Sequence, residues 1–456
     1  MAEQTYMKDK AILPLVLSMS IPMVLSMAVN AAYSIVDGYF VAKIDEAAMT
    51  AISLVYPVQN LSGAIAIGFG VGSCSVISIC LGAGEGEDAA KASGLGYMVS
   101  FLHGLLIAIA AIVGIRAFLR MFTDSEELIH YGYEYVSVLF LFAPVCHVSM
   151  HAEKVIQAAG RMKETMFGML MGCIVNIILD PVMIFGLGPC PAMGIRGAAL
   201  ATGLAQTLAC LIYIGFGAAK SMPFRTKLRD CLAPRLLLSD IKGNDSFVRR
   251  IYSVGIPASL NLALPSVLVS ALNAILAGFS ESYVLVLGAY YKLQTFLYLT
   301  ANGIIQGIRP IVGYNYGAGE FGRVRKTQEV TLTMCVIIMA VGTVLCRLCP
   351  DKLIGLFTEN AETVRLGASA LRAISLGFVL SAVSVTVSGV LEGIGMGRKS
   401  LIISLCRYIV VILPAAFLLS RIFGASGVWH AFWITELVTA GVAFGLRPCP
   451  NGKTMK

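Results

Sequence analysis

Charge is what this sequence has least of. Of its 456 residues only 13% are Asp, Glu, Lys or Arg, against 57% hydrophobic, with a mean hydropathy of +0.81. That is too little charge to coat a soluble globule of this length. Other absences narrow the reading further. The polar start MAEQTYMKDK leads into an apolar stretch with no small-residue cleavage site after it, so the first helix is expected to be retained. The twelve cysteines lie singly in apolar runs, and the spacing of Cys346 and Cys349 has no second pair to complete a metal site, so they read as small buried residues. GFGVG (68 to 72) and GAGEG (82 to 86) lack the strand and helix context of a nucleotide loop and fit close helix packing and a tight turn. No convergent nucleophile and acid/base set is present, which argues against an enzyme. What remains is an all-α integral membrane protein.

Cutting the chain at polar and Gly/Pro-rich breaks predicts helices near 12–42, 47–80, 93–118, 132–158, 163–187 and 193–218. A second set follows near 250–278, 283–315, 326–348, 365–391, 399–422 and 425–446. Most exceed the roughly 20 residues that span a bilayer. Twelve spans put both termini on one side, and Lys and Arg gather on the segments sharing that side, above all from Lys220 to Arg250. Both termini are therefore expected in the cytoplasm. The same clustering accounts for the net charge of +8 without a nucleic-acid partner.

The chain repeats itself. A shift of 235 positions places Pro22 on Pro257, Gly68 on Gly303, Gly72 on Gly307, LGAGE (81 to 85) on YGAGE (316 to 320), and Gly160 on Gly395. Six of the 14 glycines between residues 22 and 160 land on glycine, where about 1.4 would by chance. Two six-helix lobes are expected, residues 1–218 and 250–456, joined by a cytoplasmic linker over 219–249. An even helix count gives both lobes one orientation, as parallel repeats around a central cavity.

Few polar residues lie inside the helices. Asn30, Tyr33 and Asp37 share one stripe of the first helix; Asn176 and Asp180 share a face of the fifth; Thr202 and Gln206 share one of the sixth. An acid inside a spanning segment costs about 2.5–3.5 kcal/mol on insertion scales, so Asp37 and Asp180 are functional candidates. Pro181 withholds an amide from the Ile177 carbonyl and frees a backbone oxygen one turn from Asp180. With the termini inside, Asp37, Asp180 and Thr202 fall at one depth. The repeat places Leu272 opposite Asp37 and Ala415 opposite Asp180, so the acidic pair belongs to the first lobe alone. Two carboxylates in a poorly solvated cavity hold a proton or a small cation between them. A cationic cargo competing for that place would be exchanged for the ion, with no nucleotide and no cofactor.

The stretches IPMVLSMAVNAAYSIVDGYFVAKI, NIILDP, GIRGAALAT (194 to 202) and GIIQGIRPIVGYNYGAGEFGRVRK (303 to 326) resemble the multidrug and toxic compound extrusion (MATE) family, in its MepA-like bacterial branch. The resemblance implies a twelve-helix exporter of the bacterial cytoplasmic membrane that trades organic cations for H⁺ or Na⁺ by alternating access. It implies a cation site at Asp37, Asn176, Asp180 and Thr202, supported by Asn30, Tyr33 and Gln206. The acids that some members carry in helices 7 and 10 are missing: helix 7 has Pro265, and helix 10 has none before Glu392.

Tyr56, Gln59, Tyr291, Lys292 and Gln294 are candidates for a substrate cavity, Tyr291 and Gln294 being register-equivalent to Tyr56 and Gln59. Lys292 serves equally as a snorkelling lysine. His147 and His151 share a helix face with no carboxylate beside them and read as structural. Glu281 and Glu392 read as solvated helix-end charges. The expected cargo is a small lipophilic cation, the surroundings lipid, and the state monomeric. An exporter or flippase of a lipid-linked glycan or an endogenous metabolite is the alternative; a phosphate-bearing cargo would favour a more basic cavity than these acids provide.

Overall fold

The computed structural model describes residues 6–188, 190–219, 222–226, 231, 234–243 and 246–448; part of the expected linker and the last residues, Cys449 among them, lie outside these. Twelve long helices follow one another. They are α1 Ile12–Ala42, α2 Glu46–Gly82, α3 Gly86–Leu119, α4 in two segments Glu126–Leu141 and Ala143–Ala158, α5 Met162–Phe185 and α6 Ile195–Gly217. Then come α7 Phe247–Ala277, α8 Glu281–Gly317, α9 Phe321–Leu348, α10 Ala361–Gly393, α11 Gly397–Phe423 and α12 Ala425–Leu446. No strand occurs among the described residues. Nine of these helices are long and apolar enough to cross a membrane, and the two segments of α4 together make a tenth. The other two, α8 and α12, carry Lys292, Arg309 and Glu436 along their length. Every described cysteine is a free thiol.

Three helices depart from the uninterrupted runs expected of them. α4 starts earlier than predicted and bends by 50° at Phe142, because Pro144 brings no amide hydrogen to the ladder. α10 passes through a 3₁₀ turn at Ser375–Gly377, the register equivalent of that bend. α11 contains a π turn at Cys406–Val410, which inserts one extra residue. Beyond it, within α11, burial matches at a shift of 236, which sets the buried pair Asn176 and Asp180 on buried Ile412 and Ala416. By burial Ala416 matches Asp180, one residue beyond the half-buried Ala415 of the unbroken register.

The repeat governs local structure as well as residue type. Asp45 caps the N-terminus of α2 and Ser280, 235 positions on, caps α8. Ser125 caps α4, and its equivalent Asn360 caps α10. Gly84 and Gly319 turn the chain at φ +82° and +74°, and Gly160 and Gly395 at +79° and +83°, conformations that favour glycine.

The described residues form two compact units. One is built on Leu25–Ser259 with Tyr6 and Met7, the other on Lys8–Val24 with the described residues from Leu260 onward. In the first, Gly68 and Gly72 of α2 lie against Ser259 and Gly255 of α7, so closely that a methyl group would collide with backbone. In the second, Gly303 and Gly307 of α8 lie equally close to Val24 and Ser20 of α1. These four contacts are register equivalents. They explain why the start of α1 groups with the second half of the sequence and the start of α7 with the first. Asp240, in the short helix Pro234–Lys242, accepts the Phe247 and Val248 amides at 3.1 and 2.9 Å and so caps α7.

Candidate functional site

Asn176, Asp180, Asp37 and Thr202 meet in the first unit. Asn176 and Asp180, one turn apart on α5, are 2% and 0% exposed. The Asn176 amide lies between Asp180 and α6. With its nitrogen toward the carboxylate, it donates to Asp180 Oδ2 at 2.9 Å and accepts the Thr202 amide at 3.1 Å. Turned over, it donates to Thr202 Oγ1 at 3.3 Å. The Asp37 carboxyl, from α1, interacts electrostatically with that of Asp180. Asp180 Oδ1 has no hydrogen-bond partner among the described residues. Tyr33, one turn before Asp37, lies near the Thr202 side chain.

A buried carboxyl oxygen short of donors, beside amide, hydroxyl and second-carboxyl oxygens, is the donor set that a hard monovalent cation or a proton takes. A cavity of about 60 Å³, room for several waters, adjoins this cluster and is lined in part by Asn30, Tyr33, Glu153, Asn176, Thr202 and Gln206. The two aspartates are not in its wall; Asn176, touching both Asp180 and Thr202, connects them to it.

Sequence reasoning passed over Tyr135 and the Glu153–Lys154 pair. Tyr135 of α4, 5% exposed, stands close to Asp37 and Asp180 and accepts from Gln59 Nε2 at 3.1 Å. Glu153 and Lys154, also on α4, form a buried ion pair of 2.9 Å, and Gln157 donates to Glu153 at 2.6 Å while accepting from Lys154 at 3.1 Å. The signal was a Glu-Lys dipeptide near the end of an apolar helix, which sequence reasoning does not single out.

Of the other cavity candidates, Gln59 joins the acids through Tyr135, while Tyr56 is 62% exposed. In the second unit Tyr291 packs on Tyr290 at 5.2 Å between ring centres, with its hydroxyl buried. Lys292 is exposed with its Nζ 5.8 Å from the Phe357 ring centre, and Gln294 is half-buried. His147 and His151 bond Ser62 Oγ at 3.3 Å and the Ser93 carbonyl at 3.1 Å. Among the described residues no cluster of three or more His, Cys, Asp or Glu is arranged to hold a metal ion.

Glu392 is not a solvated end charge. It is 4% exposed, pairs with Arg309 at 2.6 Å and accepts from Asn261 and Ser400 at 2.9 and 3.0 Å. The helix does end one residue later, but α7, α8 and α11 supply partners around its last turn.

The MatE family description matches residues 22–182 and again 257–418. This chain belongs to the MatE family. The two matches begin 235 residues apart and end 236 apart (257 − 22 and 418 − 182). Among MatE relatives, the multidrug export protein MepA of Staphylococcus haemolyticus is 27% identical over 439 residues, which is 96% of this chain and 94% of MepA. The solved outward-facing structure of a multidrug resistance MATE family transporter of the MOP superfamily is 26% identical and superposes with a TM-score of 0.85 over 94% of each chain. A MOP superfamily transporter from Pyrococcus furiosus, described as having a binding pocket of reverse polarity, is 25% identical, with a TM-score of 0.87 over 96% of each chain. The MatE chain is thus a twelve-helix transporter of two repeats, similar to MepA, and not an enzyme.

Proposed function

We propose that this protein exports organic cations or drugs in exchange for H⁺ or Na⁺, by alternating access, across a bacterial cytoplasmic membrane with both termini in the cytoplasm. The observation that carries the reading is the Asp37 and Asp180 pair. Two acids meet inside spanning helices, and among the described residues neither forms an ion pair with a basic side chain. Such a pair is incomplete without a positive ion. Cargo and coupling ion, both positive, compete for it, and mutual exclusion makes the process an exchange. Asn176 and Thr202 hold the ion with the two acids, while Asn30, Tyr33 and Gln206 line the polar space beside it. One elementary charge crossing 100 mV is worth about 2.3 kcal/mol, enough for roughly fiftyfold expulsion without nucleotide.

Efflux of a fluorescent lipophilic cation, measured in inverted vesicles under separately imposed proton and sodium gradients, tests this. The parent chain is expected to respond to at least one gradient, and Asp37→Asn and Asp180→Asn to insert normally but respond to neither. Normal pumping by both variants would refute the site; cargo movement indifferent to both gradients would refute the exchange.

A further inference from the structure

The second unit holds a buried cation of its own. Arg407, 9% exposed, sits on the π turn of α11. Its Nε and Nη2 both reach Glu436 Oε1 of α12, at 2.7 and 2.6 Å. Nη2 also donates to the Tyr298 hydroxyl at 3.2 Å, and Tyr298 bonds Ser381 at 2.6 Å. The guanidinium lies 5.6 and 5.5 Å from the ring centres of Tyr298 and Tyr408.

The repeat says what this pair replaces. Arg407 is the equivalent of Gly172 by the shift of 235. The last helices of the two repeats align at 230: Gly203 of α6 packs on Phe142, and its equivalent Trp433 packs on Gly377, the equivalent of Phe142. At that shift Glu436 falls on Gln206, and buried Thr435 and Thr439 fall on buried Ala205 and Ala209. Gly172 and Gln206 both line the cavity beside the first unit's acids. Where the first unit has a glycine and open polar space, the second has a guanidinium filling it and a carboxylate to hold it.

We propose that Arg407 is a tethered counter-ion, occupying in the second unit the place that the coupling ion's cavity takes in the first, so that Glu436 is neutralised permanently and only one unit exchanges ions. The inference rests on the reading of the first unit as the ion-coupling one. It predicts a latent site: without the guanidinium, Glu436 becomes a carboxylate in a buried cavity and takes up a proton, Na⁺ or a free guanidinium ion. Removing one partner of a buried ion pair leaves an uncompensated charge, whereas replacing both with apolar groups does not.

The test uses the full chain on an Asp37→Asn/Asp180→Asn background, so that its outcome does not depend on whether the first pair couples transport. Adding Arg407→Gln is expected to make the melting temperature in detergent rise by several degrees with Na⁺, with guanidinium ion or on acidification, a response absent from the background and abolished by further adding Glu436→Gln. In the otherwise native chain, Arg407→Gln is expected to raise the number of ions exchanged per cargo by one, and Arg407→Met/Glu436→Leu to restore the parent number. Should Arg407→Gln fail to fold, its recovery of folded yield when guanidinium ion is present during extraction carries the same information. A variant indifferent to all three cations, or an apolar double variant with altered ion count, overturns the proposal.

Discussion

Asp37 on α1 and Asp180 on α5 bring two carboxyl groups into direct electrostatic interaction, with Asn176 beside them. Two charged carboxylates repel, so without another cation the pair shares a proton. A cationic cargo that takes the pair in its charged form expels that proton. Cargo affinity should therefore rise with pH, by up to about tenfold per unit for one proton displaced, and level off once the pair is empty. Equilibrium binding of a fluorescent organic cation to the purified protein across the neutral range measures the slope. A flat profile at fixed sodium rules out proton competition.

Asn176 holds Asp180 in place from one turn away and reaches α6 at Thr202. A hydrogen bond to a charged group is worth about 1.5–3 kcal/mol, so Asn176→Ala should weaken coupling-ion binding roughly ten- to a hundredfold. The readout is the ion concentration at half-maximal efflux, with maximal efflux at saturating ion much less affected. Equal loss in both quantities would mean that Asn176 serves packing and not the ion.

Glu392 and Glu281 looked alike in sequence but are placed differently. Glu392 is enclosed by Arg309, Asn261 and Ser400, whereas Glu281 lies exposed in the first turn of α8. Glu392→Ala should cost about 3–5 kcal/mol by stranding the Arg309 guanidinium. Glu281→Ala should cost about 0.3–1 kcal/mol, the worth of an acid at a helix N-terminus. Thermal melting in detergent separates them, and similar values for both would remove the buried-pair assignment.

That contrast shows where sequence was legible. Helix positions and the repeat follow from apolar length and glycine spacing, which are local, and all twelve helices lie close to their expected spans. Asp37, Asn176, Asp180 and Thr202 were also readable, because an acid or amide within an apolar run stands out against lipid. Glu153, Lys154 and Glu392 were not, because each lies near a helix end, where a polar residue costs little by local rules, and their burial comes from neighbouring helices; Glu436, in the middle of α12, carried the same signal as Asp37 and was passed over. The π turn at Cys406–Val410 was illegible: one extra residue leaves an apolar run apolar, and only the contacts beyond it show the slip.

Gly68 and Gly303 offer the most direct check on the repeat, since one contact is made twice. A Cβ on Gly68 would strike the backbone of Ser259, and one on Gly303 the backbone of Val24, whose place in the repeat is the same. Backbone on a packed helix does not yield as a flexible side chain does, so the helices must separate. Gly68→Ala and Gly303→Ala should each destabilise by about 1–3 kcal/mol, the usual cost of overpacking, and by similar amounts. Gly63→Ala, in the same helix as Gly68 but with nothing within 4 Å of the added methyl, should be neutral or stabilising by up to about 1 kcal/mol through helix propensity. If all three variants melt alike, the two glycine contacts are not the close approaches that the helices require.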